Sequence, residues 1–432
     1  MPEYTIRSNE QALFVGPSPS SGYHFVNSYG DLTGSSDGTH NLIKQLNGLT
    51  QFEYNINTQR QDVSELGRRE LVSRPQITPP LVDLSFQYMA YDLRNEIRMG
   101  FNPNFPTGFQ YKQPYYEHNT GVFCFKGFTS RETTQAYPEG GNWPFEDRDR
   151  RNLFFVNGKR GMDLRNLPEN EFNEISTLAF GDCYINSYST EFNIQDLVRS
   201  SVSYVCHNVN FYNSGSGIIP SIDTTGFNNI NDNIFKIPIL RGEASGSNIT
   251  GARKPLLTTD LDLVIQATGY GEDRSDIEDI GFNLEDLHVQ SASFTVDFNR
   301  REIIGIGHKL PVDKPIKYPI KVGANFTALV ASSKTGELRN LFFNDYKYDI
   351  FFKARNASPW IVCTGVIDPS VVLQYDLYQC DVDSISLGAV VNERAELTME
   401  FSTDVADTVS GKGLFISGRT IESGATFSGY NF

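Results

Sequence analysis

Residues 50–86 return without a gap as residues 290–326, at an offset of 240. Identical residues stand at Arg60/Arg300, Gly67/Gly307, Val72/Val312, Pro75/Pro315, Pro79/Pro319, Val82/Val322 and Phe86/Phe326. The shared phase of the apolar residues constrains the fold more than these identities do. Ala292, Phe294, Val296 and Phe298 alternate with Ser291, Ser293, Thr295 and Asp297, and Phe52, Tyr54 and Ile56 hold the same positions in the first copy. That period of two predicts a half-buried strand in each copy. A loop or turn around each Gly and a Pro-rich entry then lead to a second strand. It carries Val82, Leu84 and Phe86 in one copy, and Val322, Ala324 and Phe326 in the other. A slip of one residue would turn every one of these side chains to the wrong face. The chain therefore reads as mainly β and as two tandem copies of one module, residues 1–223 and 224–432.

A second block extends the repeat. Arg151-Asn152-Leu153-Phe154-Phe155 recurs as Arg339-Asn340-Leu341-Phe342-Phe343, offset 188, and at offset 190 Leu197 meets Leu387 and Phe211 meets Phe401. In the second copy Ala395, Leu397, Met399 and Phe401 alternate with Glu396, Thr398 and Glu400, predicting another strand. Between the two blocks the first copy has 64 residues and the second has 12, a difference of 52. The surplus is expected at about residues 100–149, rich in Pro, Gly, Asn and aromatics. An insertion of that length is commonly functional or a small lobe, and is expected on the outer surface or at a subunit contact. The Gly/Ser/Asn-rich stretches 213–217 and 242–251 read as loops, and the acidic stretch 272–286 as a solvated loop or short helix.

The search for chemistry returns little. His24, His40, His118, His207, His288 and His308 have no second His at ligand spacing, and Cys124, Cys183, Cys206, Cys363 and Cys380 form no CxxC pair. His207 reads as a partly buried strand residue. Gly305-Ile306-Gly307-His308-Lys309 lacks the further glycine of a phosphate loop, and no Gly-x-Ser-x-Gly elbow occurs. Asp260/Asp262 and Asp381/Asp383 do not continue into a calcium loop and read as surface acids. Trp143 and Trp360 read as packing residues. The expectation is a non-enzymatic protein without metal or cofactor. The first residues lack a basic stretch followed by an apolar run, and no apolar run approaches a membrane span. That predicts a cytosolic origin, reduced thiols and no membrane partner. A net charge of −15 opposes any role that grips phosphates, because such a grip needs Lys and Arg to displace counterions.

The run Asn41-Leu42-Ile43-Lys44-Gln45-Leu46-Asn47, the following strand, Arg60-Gln61-Asp62-Val63, and Gly67 through Arg74-Pro75 to Pro79 resemble bacteriophage tail tube proteins. So does the matching run of the second copy, from Val289-Gln290-Ser291-Ala292-Ser293-Phe294 through Pro319 to Phe326. The resemblance covers about half of the chain and implies a β-sandwich or barrel module with a short flanking helix, present twice. It implies a virion location in the tail, assembly in the host cytoplasm, and homotrimers that form pseudo-hexameric rings. The rings would stack and conduct DNA without specific binding, meeting sheath, baseplate or terminator proteins at their ends. The family has no catalytic residues to carry over. The insertion departs from a minimal tube module.

If such a channel forms, the polar phase of the strands offers its wall: Asp83, Ser85 and Gln87 in the first copy, and Ser291, Ser293, Thr295, Asp297, Glu396 and Glu400 in the second. None of these is basic, as a surface that must pass DNA without holding it requires. A baseplate hub or neck ring protein, and a carbohydrate-binding or glycan-acting β-sandwich, are the alternative readings. The same residues facing bulk water on an outer sheet is the alternative for the wall.

Overall fold

The structure is a computed structural model that describes residues 11–17, 44–77, 81–91, 94–99, 123–126, 150–158, 176–206, 208–212, 216–218, 234–236, 255–267, 287–306, 314–317, 319–330, 347–355, 371–388, 396–405 and 413–418. The described residues are mainly β. Sixteen strands share one antiparallel sheet, and two more form a separate ribbon.

Two sets of strands in this sheet are paired in the same order. In the first, β3 (Leu49–Asn57), β4 (Leu81–Met89), β8 (Arg199–Cys206), β7 (Ser176–Asn193), β6 (Arg150–Asn157) and β1 (Gln11–Pro17) follow one another across the hydrogen bonds. In the second, the order is β13 (Leu287–Asp297), β14 (Ile320–Val330), β17 (Glu396–Val405), β16 (Val371–Gly388), β15 (Tyr348–Arg355) and β12 (Leu261–Ala267). A further strand in each set, β9 (Asn208–Tyr212) or β18 (Gly413–Gly418), lies along the first half of the long strand β7 or β16. Even the irregularities recur. Bulges fall between Leu49/Gln51 and Val289/Ser291, and between Ile185/Ser187 and Val382/Ser384.

The pairing corrects the register expected for the second block. Because Tyr184 faces Val205 where Asp381 faces Ser402, the offset there is 197, not 188 or 190. Tyr204 is the counterpart of Phe401, Thr190 of Leu387, and Cys183 of Cys380. Arg151–Phe155 correspond to Tyr348–Phe352, and the recurrence at 339–343 lies outside the described residues. A five-letter identity carries no information about which backbone groups meet, and the hydrogen-bond register overrides it. The offset falls from 240 to 197, so 43 residues of the first set lack a counterpart, not 52. From the insertion, β5 (Phe123–Lys126) pairs with β18 of the second set, and α1 (Arg94–Met99) follows β4. The place of a matching helix in the second set lies outside the described residues. So do the expected boundary at residue 223, His207, Trp143, Trp360 and the stretches 242–251 and 272–286. Part of the stretch read as a loop at 213–217 is instead strand β10 (Ser216–Ile218), paired with β11 (Ile234–Lys236). The two-residue β2 (Lys44–Gln45) borders β1.

Period-two patterning places the core. Val82, Leu84, Phe86 and Tyr88 of β4 and Val202, Tyr204 and Cys206 of β8 are buried, and so are Val322, Ala324 and Phe326 of β14 and Leu397, Met399 and Phe401 of β17. The first halves of the long strands are buried on both faces. Leu373, Tyr375 and Leu377 lie on one side of β16, with Gln374 and Asp376 on the other. Aromatic rings join the layers: Phe326 stacks on Phe352 at 5.6 Å and Phe52 on Phe155 at 4.0 Å.

One expectation needs correction. Strand β3 is exposed rather than half-buried, with Tyr54 at 44% and Ile56 at 37%. Among the described residues β3 has one neighbour, β4, whereas its counterpart β13 lies between β14 and β7. The segment after β3, expected as a loop or turn around Gly67, turns there and forms an extended hairpin arm. Bridges Arg60↔Gln76 and Val63↔Ser73 close it, and Gly67 makes its tip at φ +88°, where a side chain is disfavoured. The second arm repeats the closure at Arg300↔Ile316.

Replacing Phe352 by Ala removes a ring that Phe192, Phe294 and Phe326 all contact. It should cost about 3–5 kcal/mol in urea or guanidinium unfolding. Leu66→Ala, at a fully exposed arm position, should change stability by less than about 0.5 kcal/mol. Equal effects from the two would contradict the core described above.

Candidate assembly interface

Among the described residues, the strands of the two sets join where β7 meets β13. The second half of β7 has β8 on one side and β13 on the other. Ser187 faces Asp297, Tyr188 faces Val296, Thr190 faces Phe294 and Phe192 faces Ala292. Backbone bonds from Ile194 N to Gln290 O and from Phe298 N to Asn186 O, each 2.9 Å, extend the ladder at both ends. Side chains from the first set complete the core of the second: Phe192 stacks on Phe352 at 5.0 Å and meets the edge of Tyr375. The segment before β12 is tied back to the first set, with Val198 N donating to Leu256 O and Leu256 N to Ala90 O.

The second arm closes the seam. The Nε of Arg300 donates to Ile185 O at 2.7 Å, its Nη1 donates to Lys314 O at 2.9 Å, and its guanidinium lies 5.2 Å over the Tyr184 ring. Lys314 is buried and pairs with Glu302 at 2.9 Å. Burial lowers the Lys314 pKa, and the Glu302 carboxylate works against that shift. The first arm carries the same device at the same offset, Arg74 with Asp62 at 2.5 Å, but there both side chains are exposed. Sequence reading passed over this pair. Its signal was an acid and a base twelve residues apart at matching positions of both copies.

A buried polar cluster lies at the same joint. Tyr88 and Tyr188 both donate to Glu96 Oε1 of α1, at 2.6 and 3.1 Å, and the Tyr188 hydroxyl meets that of Tyr375 at 2.9 Å. Burial, reinforced by the neighbouring phenols and the Glu96 carboxylate, raises the pKa of Tyr88 and Tyr188 well above the usual range. The phenols therefore stay protonated and act as donors. This network spans both sets, since Tyr375 belongs to the second.

The opposite face of the same strands is polar and continuous. One row of directly opposed residues runs through Glu53, Ser85, Ser203, Ser187, Asp297, Lys321 and Asp404. The next runs through Gln51, Gln87, Ser201, Ser189, Thr295, Gly323 and Ser402, and a third through Arg199, Glu191, Ser293, Asn325, Glu400 and Ser384. Ser291 stands in a fourth row with Asn193 and Thr327, Asp83 between Asn55 and Val205, and Glu396 between Gly388 and Leu329. All nine residues singled out in the sequence, Asp83, Ser85, Gln87, Ser291, Ser293, Thr295, Asp297, Glu396 and Glu400, thus share one face that crosses eight strands. Side-chain bonds knit it, including Ser187 to Ser203 at 2.6 Å and Ser384 to Glu400 at 2.8 Å. In the three full rows the basic residues are Arg199 and Lys321. Arg199 pairs with Asp196, and Lys321 stands between Asp297 and Asp404.

Among the described residues, no group of three or more His, Cys, Asp or Glu is placed to hold a metal ion. No helix among them is long and apolar enough to cross a membrane. Asp260 closes a short 3-10 turn and Asp381 pairs with Lys347. No protein-family model matches the chain, and a comparison with curated proteins also finds no match.

Asp376 is the displaced carboxyl. Burial pushes its pKa up to about 7, against the opposing hydrogen bond from Gln374 Nε2 at 2.6 Å and the charge of Lys353. In the unfolded chain it titrates near the ordinary value of 3.8. The folded state therefore holds a proton that the unfolded state has lost between these two values, and stability falls as pH rises through that window. Asp376→Asn removes the ionisation and keeps the acceptor. Its stability relative to wild type should rise from pH 4 to pH 8, by at most about 4 kcal/mol. A difference between the two proteins that does not change across this range, in parallel denaturant titrations, would refute the shift.

Proposed function

We propose that this chain is a virion structural protein, a bacteriophage tail tube subunit whose two strand sets are copies of one module. Three chains close into a pseudo-hexameric ring, and rings stack into a tube that conducts DNA. The observation that carries this reading is the unbroken polar face across both sets. A surface of Ser, Thr, Asn and Gln with excess carboxylate holds water and repels phosphate, so a duplex moves along it without being retained. A sheet joined edge to edge between sets also suits closed assembly, because quasi-equivalent copies repeat one contact around an axis. The resemblance to tail tube proteins supports the same reading. It brings the expected partners: further copies of this chain, and sheath, baseplate or terminator proteins at the tube ends. The chain would be made in the host cytoplasm and reside in the virion tail.

Negative-stain microscopy of the purified protein tests this directly. Stacked rings or tubes are expected, and compact monomers at high concentration would overturn the reading. Single rings that never stack would favour a hub or neck ring instead. The wall makes a separate prediction. Assemblies of the wild type should not retain duplex DNA at physiological salt. Assemblies of a Ser85→Lys/Ser293→Lys variant should retain it, with an affinity that falls steeply as salt rises. Retention by wild type equal to that of the variant would contradict a repelling wall.

A further inference from the structure

The chain carries a second, unfilled copy of its own seam. In the seam that is formed, the second half of β7 receives β13. The counterpart of β7 is β16, whose second half pairs with β17 along one side. The counterpart of β13 is β3, which pairs with β4 along one side. Among the described residues, the other edge of each has no partner strand. Both edges carry apolar residues in the open: Tyr54 and Ile56 on β3 are 44% and 37% exposed, and Leu387 on β16 is 53% exposed.

We propose that β3 of one chain pairs antiparallel with the second half of β16 of the next chain, in the register already used between β13 and β7. Moving that register by the two offsets puts Tyr54 opposite Leu387 and Ile56 opposite Ile385 on the core side. Asn55 falls opposite Ser386 and Asn57 opposite Ser384 on the polar side. At these four positions apolar meets apolar and small polar meets small polar, Glu53 falls opposite Gly388, and the polar face continues from chain to chain. The first arm then docks as the second does. Arg300 donates to Ile185 O and lies over Tyr184. Arg60 takes its place, reaching Val382 O beside the Asp381 carboxylate. A cation over a ring is replaced by a cation beside an acid. The exposed Arg74–Asp62 pair moves into the position where Lys314–Glu302 is buried.

The register also sets the shape of what is built. A perpendicular path from Glu53 through Ser85, Ser203 and Ser187 arrives at Asp297, four residues beyond Ser293, the counterpart of Glu53. Four strands therefore advance the stagger by four residues, one residue per strand. That ratio is the one in eight-stranded barrels with shear 8, where the strands tilt by about 36°. With strands about 4.8 Å apart at that tilt, three chains of eight strands close into a barrel about 45 Å across between backbones. Such a bore admits a hydrated DNA duplex.

This inference rests on the ring reading for closure but not for the pairing itself, and cysteine cross-linking separates the two. Directly opposed residues in an antiparallel pair lie within disulfide reach, and positions two residues out of register do not. The Asn55→Cys/Ser386→Cys variant, oxidised beside wild type, should lose its monomer band on non-reducing gels. The Asn55→Cys/Ser384→Cys variant should keep its monomer band. Stronger linking of the shifted pair overturns the register. An in-register variant that assembles by sedimentation yet does not link overturns the pairing and leaves the ring reading intact. Linked open chains without closed trimers uphold the pairing and sink the ring. A protein that neither associates nor links defeats both.

Discussion

The structure depends on the ability of one long strand to hold different partners along its length. β7 runs for 18 residues, pairing first with β6 and β9, then from Tyr184 with β8 and, past a bulge at Asn186, with β13. A backbone amide left unpaired inside a core costs more than most side-chain contacts return. A strand that changes partners midway must therefore find new acceptors at once. The bulge supplies the local twist for that change, and β16 repeats the solution after Val382. Both layers of each set, and the seam between the sets, follow from this one element.

Burial around the seam is mostly aromatic, with a polar exception. Phe192, Phe294, Phe326 and Phe352 form a connected group, bordered by Tyr375. Glu96 sits among Tyr88 and Tyr188, so the joint includes a directional network as well as an apolar contact. Rings tolerate small rotations, whereas a carboxylate held by two phenols fixes the relative position of α1, β4 and β7. The seam is thus specified in angle as well as in area.

Strand alternation made much of this legible from sequence. The faces of β4, β13, β14 and β17 were readable because period two separates Val, Leu and Phe from Ser, Thr, Asp and Glu without ambiguity. All nine polar residues picked by that rule lie on one face. The exposure of β3 was not readable, because Phe52, Tyr54 and Ile56 obey the same alternation as their buried counterparts. What differs is the neighbour, and a pattern along one strand does not record how many strands flank it. The register of β6 and β7 was also hidden. The five-letter recurrence at Arg151 and Arg339 outweighed a weaker but structural correspondence, Cys183 with Cys380, that only the hydrogen bonds reveal. The turn at Gly67 was readable but the arm behind it was not, because bridges such as Arg60↔Gln76 are backbone contacts with no side-chain signature.

Covalent linkage gives the β7–β13 seam a kinetic character of its own. Because its two strands belong to one chain, the seam forms during folding, at an effective concentration set by the connecting chain rather than by the amount of protein in the cell. A contact of the β3–β16 kind between separate molecules forms only by collision. In the ring proposed above, fused pairs would close six sets with three contacts between chains instead of six. Its onset responds less steeply to protein concentration, and incomplete rings can differ only by whole pairs. In such a ring the fusion would filter assembly intermediates before any partner protein is involved.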